Sequence, residues 1–172
     1  PRYQYERVNA IKVLVINSEG KVLLIQEPET NEWMPGHWGL PGGKPLEKES
    51  LTDAFKRKMD EELGISVEPS GIFRIEELLI ENRTVLMFHV VCQLDDSNPL
   101  IGDSISYKWV GVDEVKNMET AEFTEFFNRD LLLGWFNGDK KLVSLEIIDT
   151  RRYFELDKTD DYRRWFDSGR RI

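Results

Sequence analysis

The segment Leu51–Leu63, amphipathic and bounded by its own start and stop signals, constrains this chain more than any other feature. Ser50 stands where an N-cap accepts a free backbone N–H, and Gly64 follows where a helix ends in the left-handed conformation. Residues advance by about 100° around a helix axis, so with Leu51 at zero, Phe55 and Met59 fall at about 40° and 80°. That stripe predicts a helix laid on a sheet. Glu62 falls at about 20°, inside the stripe, and Glu61 at about 280°, on its flank. A carboxylate facing a core is costly unless it is paired or holds a cation. Upstream, Gly42-Gly43 permits close backbone approach and offers a carbonyl, so the acidic pair beside it suits a hard, oxygen-seeking cation. An acidic pair on a helix is usually a solvated surface, and the helix by itself favours that plainer reading.

Around this segment the pattern alternates between strands and loops. Ile11–Ile16 and Val22–Gln26 read as a hairpin turning at Glu19-Gly20. Glu27–Gly39, with Pro28, Pro35 and Gly36, reads as loop. Phe73–Ile80 and Thr84–Leu94 are expected as longer strands, Tyr107–Val112 as another, with a helical turn opening at Asp113-Glu114-Val115. Glu122–Phe136 carries Phe123, Phe126, Phe127 and Leu131 at helical spacing up to Asn137-Gly138, and Leu142–Ile148 reads as a late strand. Strands before and after one central helix, with a second helix late, predict an α/β fold with a mixed sheet covered on both faces. The whole of 1–172 is expected to form a single domain, with 139–172 as a C-terminal extension of it.

The spacing across Gly43–Ile65 resembles the Nudix box, G-x5-E-x7-R-E-U-x-E-E-x-G-U, where U is a bulky aliphatic residue. Gly43, Glu49, Arg57, Met59, Glu61, Glu62, Gly64 and Ile65 are in register with it, and Trp38, Leu40-Pro41-Gly42, Ala54 and Trp109-Val110 extend the likeness. The resemblance implies a Nudix α/β/α sandwich whose box forms loop–helix–loop. It also implies a metal-dependent hydrolase that cleaves a nucleoside diphosphate linked to another moiety (a nucleotide sugar, an ADP-ribose-like compound or a nucleoside triphosphate), using Mg²⁺ or Mn²⁺. Carried over by position, Glu62 is the principal metal ligand, Glu61 a second, and the Gly42 carbonyl a third. Arg57 orients a box carboxylate, while Glu49 and Gly64 shape the box. Asp103, shortly before Trp109, is the position where the family often has a further acidic ligand. His37, Trp38 and Gly43 are candidate substrate contacts.

Lys58 departs from the box, standing where the family has its first helical glutamate. Three readings follow: an active enzyme with fewer metals and a base elsewhere (Glu76, Glu77, Glu81, Asp103 or Glu119), an impaired domain that binds a nucleotide without turnover, or an introduced change at Lys58. A narrower likeness, through Gly42-Gly43-Lys44, Lys48-Glu49-Ser50-Leu51 and Ala54-Phe55-Lys56-Arg57, is to GDP-mannose mannosyl hydrolases, which also lack that glutamate. Their histidine base has no counterpart in Gly102–Lys108.

Charge narrows the partners. A net charge of −9 gives no bulk attraction to a polyanion, so non-specific nucleic-acid binding is not expected and a phosphate ligand must be neutralised locally. No apolar run approaches the roughly 20 residues of a membrane helix. The opening Pro1–Tyr5 lacks the features of a secretory leader and Cys92 is the single cysteine, so a cytoplasmic location is expected. His89 and Cys92 read as strand and core residues rather than catalysts. The basic and aromatic close, Arg151–Ile172, is offset by Asp157, Asp160, Asp161 and Asp167, and reads as packed extension or homodimer contact.

Overall fold

A computed structural model describes residues 6–32, 34–95, 99, 106–138 and 140–150. Its spine is a pair of long parallel strands, β1 (Glu6–Ile16) and β6 (Arg83–Gln93), paired along their whole length. β5 (Pro69–Ile80) lies antiparallel on the far side of β6. β1 turns through Asn17–Gly20 into β2 (Val22–Gln26), which pairs with β3 (Trp38–Gly39) and β7 (Tyr107–Val110). The parallel pairing of β1 with β6 among antiparallel ones makes the sheet mixed, as the element pattern predicts.

Period-two alternation in β1 and β6 divides the core. Ile11, Val13, Val15, Val90 and Cys92 face the helix α1 (Leu51–Leu63), which lays Ala54, Phe55, Met59 and Leu63 on them. Leu14, Ile16 and Val91 face the other way, toward α2 (Val112–Asn117) and α3 (Asn128–Asn137), meeting Val115, Leu131, Leu132 and Trp135. The sheet is therefore covered on both faces. Among the described residues no helix is long and apolar enough to cross a membrane.

The caps of α1 hold where local chemistry puts them. Ser50 Oγ accepts the Asp53 N–H at 3.0 Å. At the other end Gly64 has φ 61°, and the N–H groups of Gly64 and Ile65 return to the carbonyls of Asp60 and Met59.

Elsewhere the sequence expectations need correction. The helix expected over Glu122–Phe136 begins only at Asn128. Before it, Thr120–Glu122 forms a 3₁₀ turn and Phe123 makes a parallel bridge to Trp38, with the Thr124 N–H donating to the Trp38 carbonyl at 2.9 Å. A residue tied to a strand cannot also continue a helix. Leu142–Ile148 is not a strand: Val143 makes one bridge to Ile72, and Leu145–Ile147 is a 3₁₀ turn capped by Ser144. The strand beginning at Tyr107 stops at Val110, because α2 starts at Val112. The segment read as loop over Glu27–Gly39 ends in the two residues of β3. Asp103 and residues 151–172 lie outside the described residues.

Candidate active site

The strand β4 (Gly42–Gly43) pairs antiparallel with Lys12 and Ile11 in the middle of β1, just beyond the point where β2 leaves it. Gly42 has φ 146°, and a Cβ there would lie 2.1 Å from the Ile11 carbonyl oxygen. Only glycine brings this backbone into the sheet. Its N–H then points to α1 and donates to Glu62 Oε2 at 2.9 Å. Glu62 is thus pinned to the sheet by the loop that precedes its own helix.

Glu62 keeps 23% of its side-chain exposure while Glu61, one residue earlier and 100° round the helix, keeps 50%. Burial pushes the Glu62 carboxyl above its usual range, against the opposing pull of the Gly42 N–H, Lys58 and Lys12. Arg57 binds Glu49 with two parallel bonds, Nε to Oε1 at 2.7 Å and Nη2 to Oε2 at 2.8 Å. Its Nη1 donates to Glu61 Oε2 at 3.0 Å and its Nη2 also to the Lys44 carbonyl at 3.2 Å. The planar guanidinium therefore fixes one carboxylate of the acidic pair to the loop. The hydrogen-bonded Arg57 holds the Glu49 carboxyl below its usual range, and Glu49 Oε2 also accepts the Leu46 N–H at 2.8 Å. Lys58 places its ammonium 3.5 Å from Glu61 Oε2 and 3.5 Å from Glu62 Oε1.

A family model, that of the NUDIX domain, matches residues 6–131. The chain belongs to the Nudix family. Its members act on phosphoanhydrides and generally use divalent metal ions. The phosphatase NudJ of Escherichia coli K12 is 28% identical over an alignment of 105 residues that covers 59% of this chain and 67% of that protein. The MutT protein of Methanosarcina mazei Go1 is 28% identical, with a TM-score of 0.61 over 73% of this chain and 94% of that one. A NUDIX hydrolase from Nitrosomonas europaea, 19% identical, shares the fold at a TM-score of 0.65 over 85% of this chain and 98% of its own.

The Nudix helix and loop bring Glu49, Arg57, Lys58, Glu61, Glu62 and Gly42 into one network. The acidic pair offers hard oxygen donors of the kind a divalent ion takes, and the Gly42 peptide stands beside it. Among the described residues no third Asp, Glu, His or Cys joins them to form a three-ligand group. The two carboxylates and the Gly42 carbonyl are oxygen donors of the kind that fit a divalent ion. Gly43 touches the network through Lys58, whose Cε lies 2.7 Å from where a Gly43 Cβ would be. Trp38 is half-buried against the α3-side core, with Lys108 Nζ 4.1 Å from its ring centroid. His37 Nδ1 lies 2.9 Å from the Pro35 carbonyl and 3.1 Å from that of Met34; both only accept, so Nδ1 carries the proton. Of the candidate bases, Glu76 is bonded to His89 Nε2 at 2.8 Å, and Glu77, Glu81 and Glu119 are exposed.

One ion pair next to this site escaped the sequence reading. Lys12, on the opposite face of β1 from Ile11, pairs with Glu125 at 3.0 Å and donates to the Leu40 carbonyl at 3.4 Å. Glu125 also accepts from Thr124 Oγ1 and, at 2.7 Å, from Asn128 Nδ2. A lone lysine within the apolar run Ile11–Ile16 was the available signal, because a charge in a strand covered on both faces requires a partner. Burial works to raise the Glu125 carboxyl, but the Lys12 charge and these hydrogen bonds outweigh it and hold it below its usual range. The stability this contributes is complete above the ordinary carboxylate value of about 4.3 and is lost as pH falls through the folded-state value. Lys12→Met leaves Glu125 without its counter-ion. It is expected to cost about 3 kcal/mol at neutral pH, the low end for a broken buried pair because both side chains retain some solvent. Urea unfolding between pH 7 and pH 3 should show that cost, and a shallower loss of stability on the acid side than in the parent chain.

Proposed function

We propose that this chain is a metal-dependent hydrolase that cleaves the phosphoanhydride of a nucleoside diphosphate linked to another moiety, acting with one divalent ion. The observation that carries the reading is the pinning of Glu62 to the Gly42 N–H beside Glu61, itself held by Arg57. A mostly buried carboxylate, raised by burial and sharing one ammonium with a second carboxylate, is an arrangement that a bound cation relieves. Glu62 and Glu61 would hold the ion, with the Gly42 carbonyl, and Mg²⁺ or Mn²⁺ suits such oxygen donors. When bound, the ion supplies a Lewis acid for the phosphoryl oxygens and a water activated for attack. Arg57 keeps Glu61 from swinging away from Glu62, and Glu49 keeps Arg57 in place.

A nucleotide sugar, an ADP-ribose-like compound and a nucleoside triphosphate are tested side by side with Mg²⁺, Mn²⁺ or chelator. Phosphorus NMR in ¹⁸O water is expected to report cleavage of the anhydride in at least one, with the isotope shift on a phosphate of the product and no reaction in chelator. A panel with no turnover under any metal sinks the reading.

A second reading, nucleotide binding without turnover, is favoured by one observation: the Lys58 ammonium stands 3.5 Å from both carboxylates. It is distinguished by a rise in melting temperature with a nucleotide that the same assay shows to be left intact.

A further inference from the structure

Lys58 precedes Glu61 by three residues and Glu62 by four, so all three side chains emerge on one side of α1. The lysine could extend into solvent from this position. Instead its side chain is only 22% exposed, and the ammonium is equidistant, at 3.5 Å, from Glu61 Oε2 and Glu62 Oε1. Gly43 makes that seat possible: the end of the lysine passes over its Cα, 2.7 Å from where a Cβ would stand. The other oxygen of Glu62 is already satisfied by the Gly42 N–H. Carboxylate, carboxylate and bare glycine thus cradle one positive charge, and the chain supplies that charge itself.

We infer that Lys58 is a tethered cation occupying the seat between Glu61 and Glu62, and that it sets the metal affinity of this chain by competing with a divalent ion for those carboxylates. The inference rests on the proposal that the acidic pair is where the ion binds. A protonated amine has no lone pair to offer a metal, so an incoming ion must displace the ammonium. With Lys58 in place the three side chains carry one net negative charge. With a neutral residue they carry two, and with a glutamate three. Affinity for a divalent ion should climb in that order.

Mn²⁺ is the probe, titrated into the full chain and followed by the electron paramagnetic resonance of the free ion. Lys58→Met keeps the length of the side chain and removes the charge; it is expected to bind Mn²⁺ at least tenfold tighter than the parent. Lys58→Glu should bind tighter again, while Lys58→Arg should stay within about threefold of the parent because the charge remains. Adding Glu62→Gln to Lys58→Met should abolish the gain, which places it at this pair. Without metal, Lys58→Met should melt below the parent and recover on adding Mn²⁺, since its carboxylates have lost their counter-ion. Circular dichroism confirms the fold of each variant, and Lys58→Gln, with a polar end for a seat that retains some solvent, repeats the comparison. Equal Mn²⁺ affinity in the parent, Lys58→Met and Lys58→Gln overturns the inference and leaves the metal site standing. Absence of Mn²⁺ binding in all of them, Lys58→Glu included, overturns both.

Discussion

Glu62→Gln is expected to remove turnover almost completely while leaving the protein at least as stable as before. The two effects part because one environment acts on two different properties. Burial favours the uncharged form of this side chain, so a neutral isostere removes a penalty that the folded state otherwise bears. The glutamine carbonyl still accepts the Gly42 N–H that Glu62 accepts at 2.9 Å, so the loop keeps its tie to the helix. What disappears is the negative charge. Outer-shell changes around a metal commonly cost 10–100-fold, so loss of the proposed principal ligand should cost on the order of a hundredfold or more in kcat/KM. Thermal melts in chelator set beside kinetics in Mn²⁺ test the pair of outcomes. A variant that keeps its rate shows that Glu62 holds no ion. A variant that loses both rate and stability shows that Glu62 serves the fold.

The parts of this site written in local sequence were legible, and the parts made by distant contacts were not. Ser50, the apolar stripe of α1 and Gly64 all act within a few residues of each other, so the expected helix Leu51–Leu63 and the observed one coincide. Glu62 at the inner edge and Glu61 on the flank follow from the helical period, as their exposures show. The segment from Phe123 to Phe127 has the same helical spacing of aromatics, yet its geometry is decided from outside. Trp38 captures Phe123 and Thr124 into a bridge, and Lys12 draws Glu125 to the sheet. Helix begins only when those ties end. The same distance in sequence hid the partnership of Lys12 and Glu125. The charge in the strand was visible, but its partner lies more than a hundred residues away. β1 also runs back to Glu6 because β6 supplies a parallel partner over its entire length, whereas only its inner half reads as apolar.

Gly42→Ala should do the greatest damage to the fold of any single methyl added near this site. The added Cβ would lie 2.1 Å from the Ile11 carbonyl oxygen and 3.0 Å from the Lys12 Cα, both backbone atoms of a central strand that cannot turn aside as a side-chain end can. The φ of 146° is itself one that a residue with a Cβ rarely adopts. Backbone strain of this kind and overpacking each cost about 1–3 kcal/mol, so a combined loss on the order of 3 kcal/mol is expected. In a chain of this size that lowers the melting temperature by about 10 °C. Relief requires β4 to peel away from β1, which withdraws the N–H from Glu62 and exposes the Pro41 carbonyl that accepts from the Val13 N–H at 2.8 Å. Activity should therefore fall even well below the melting temperature, and amide exchange at Val13 should speed up. Gly43→Ala provides the contrast, since its Cβ would press only on the movable end of Lys58. It should cost much less stability and alter the seat of the ammonium. If the two substitutions destabilise the chain equally, backbone contact with β1 is not what requires glycine at position 42.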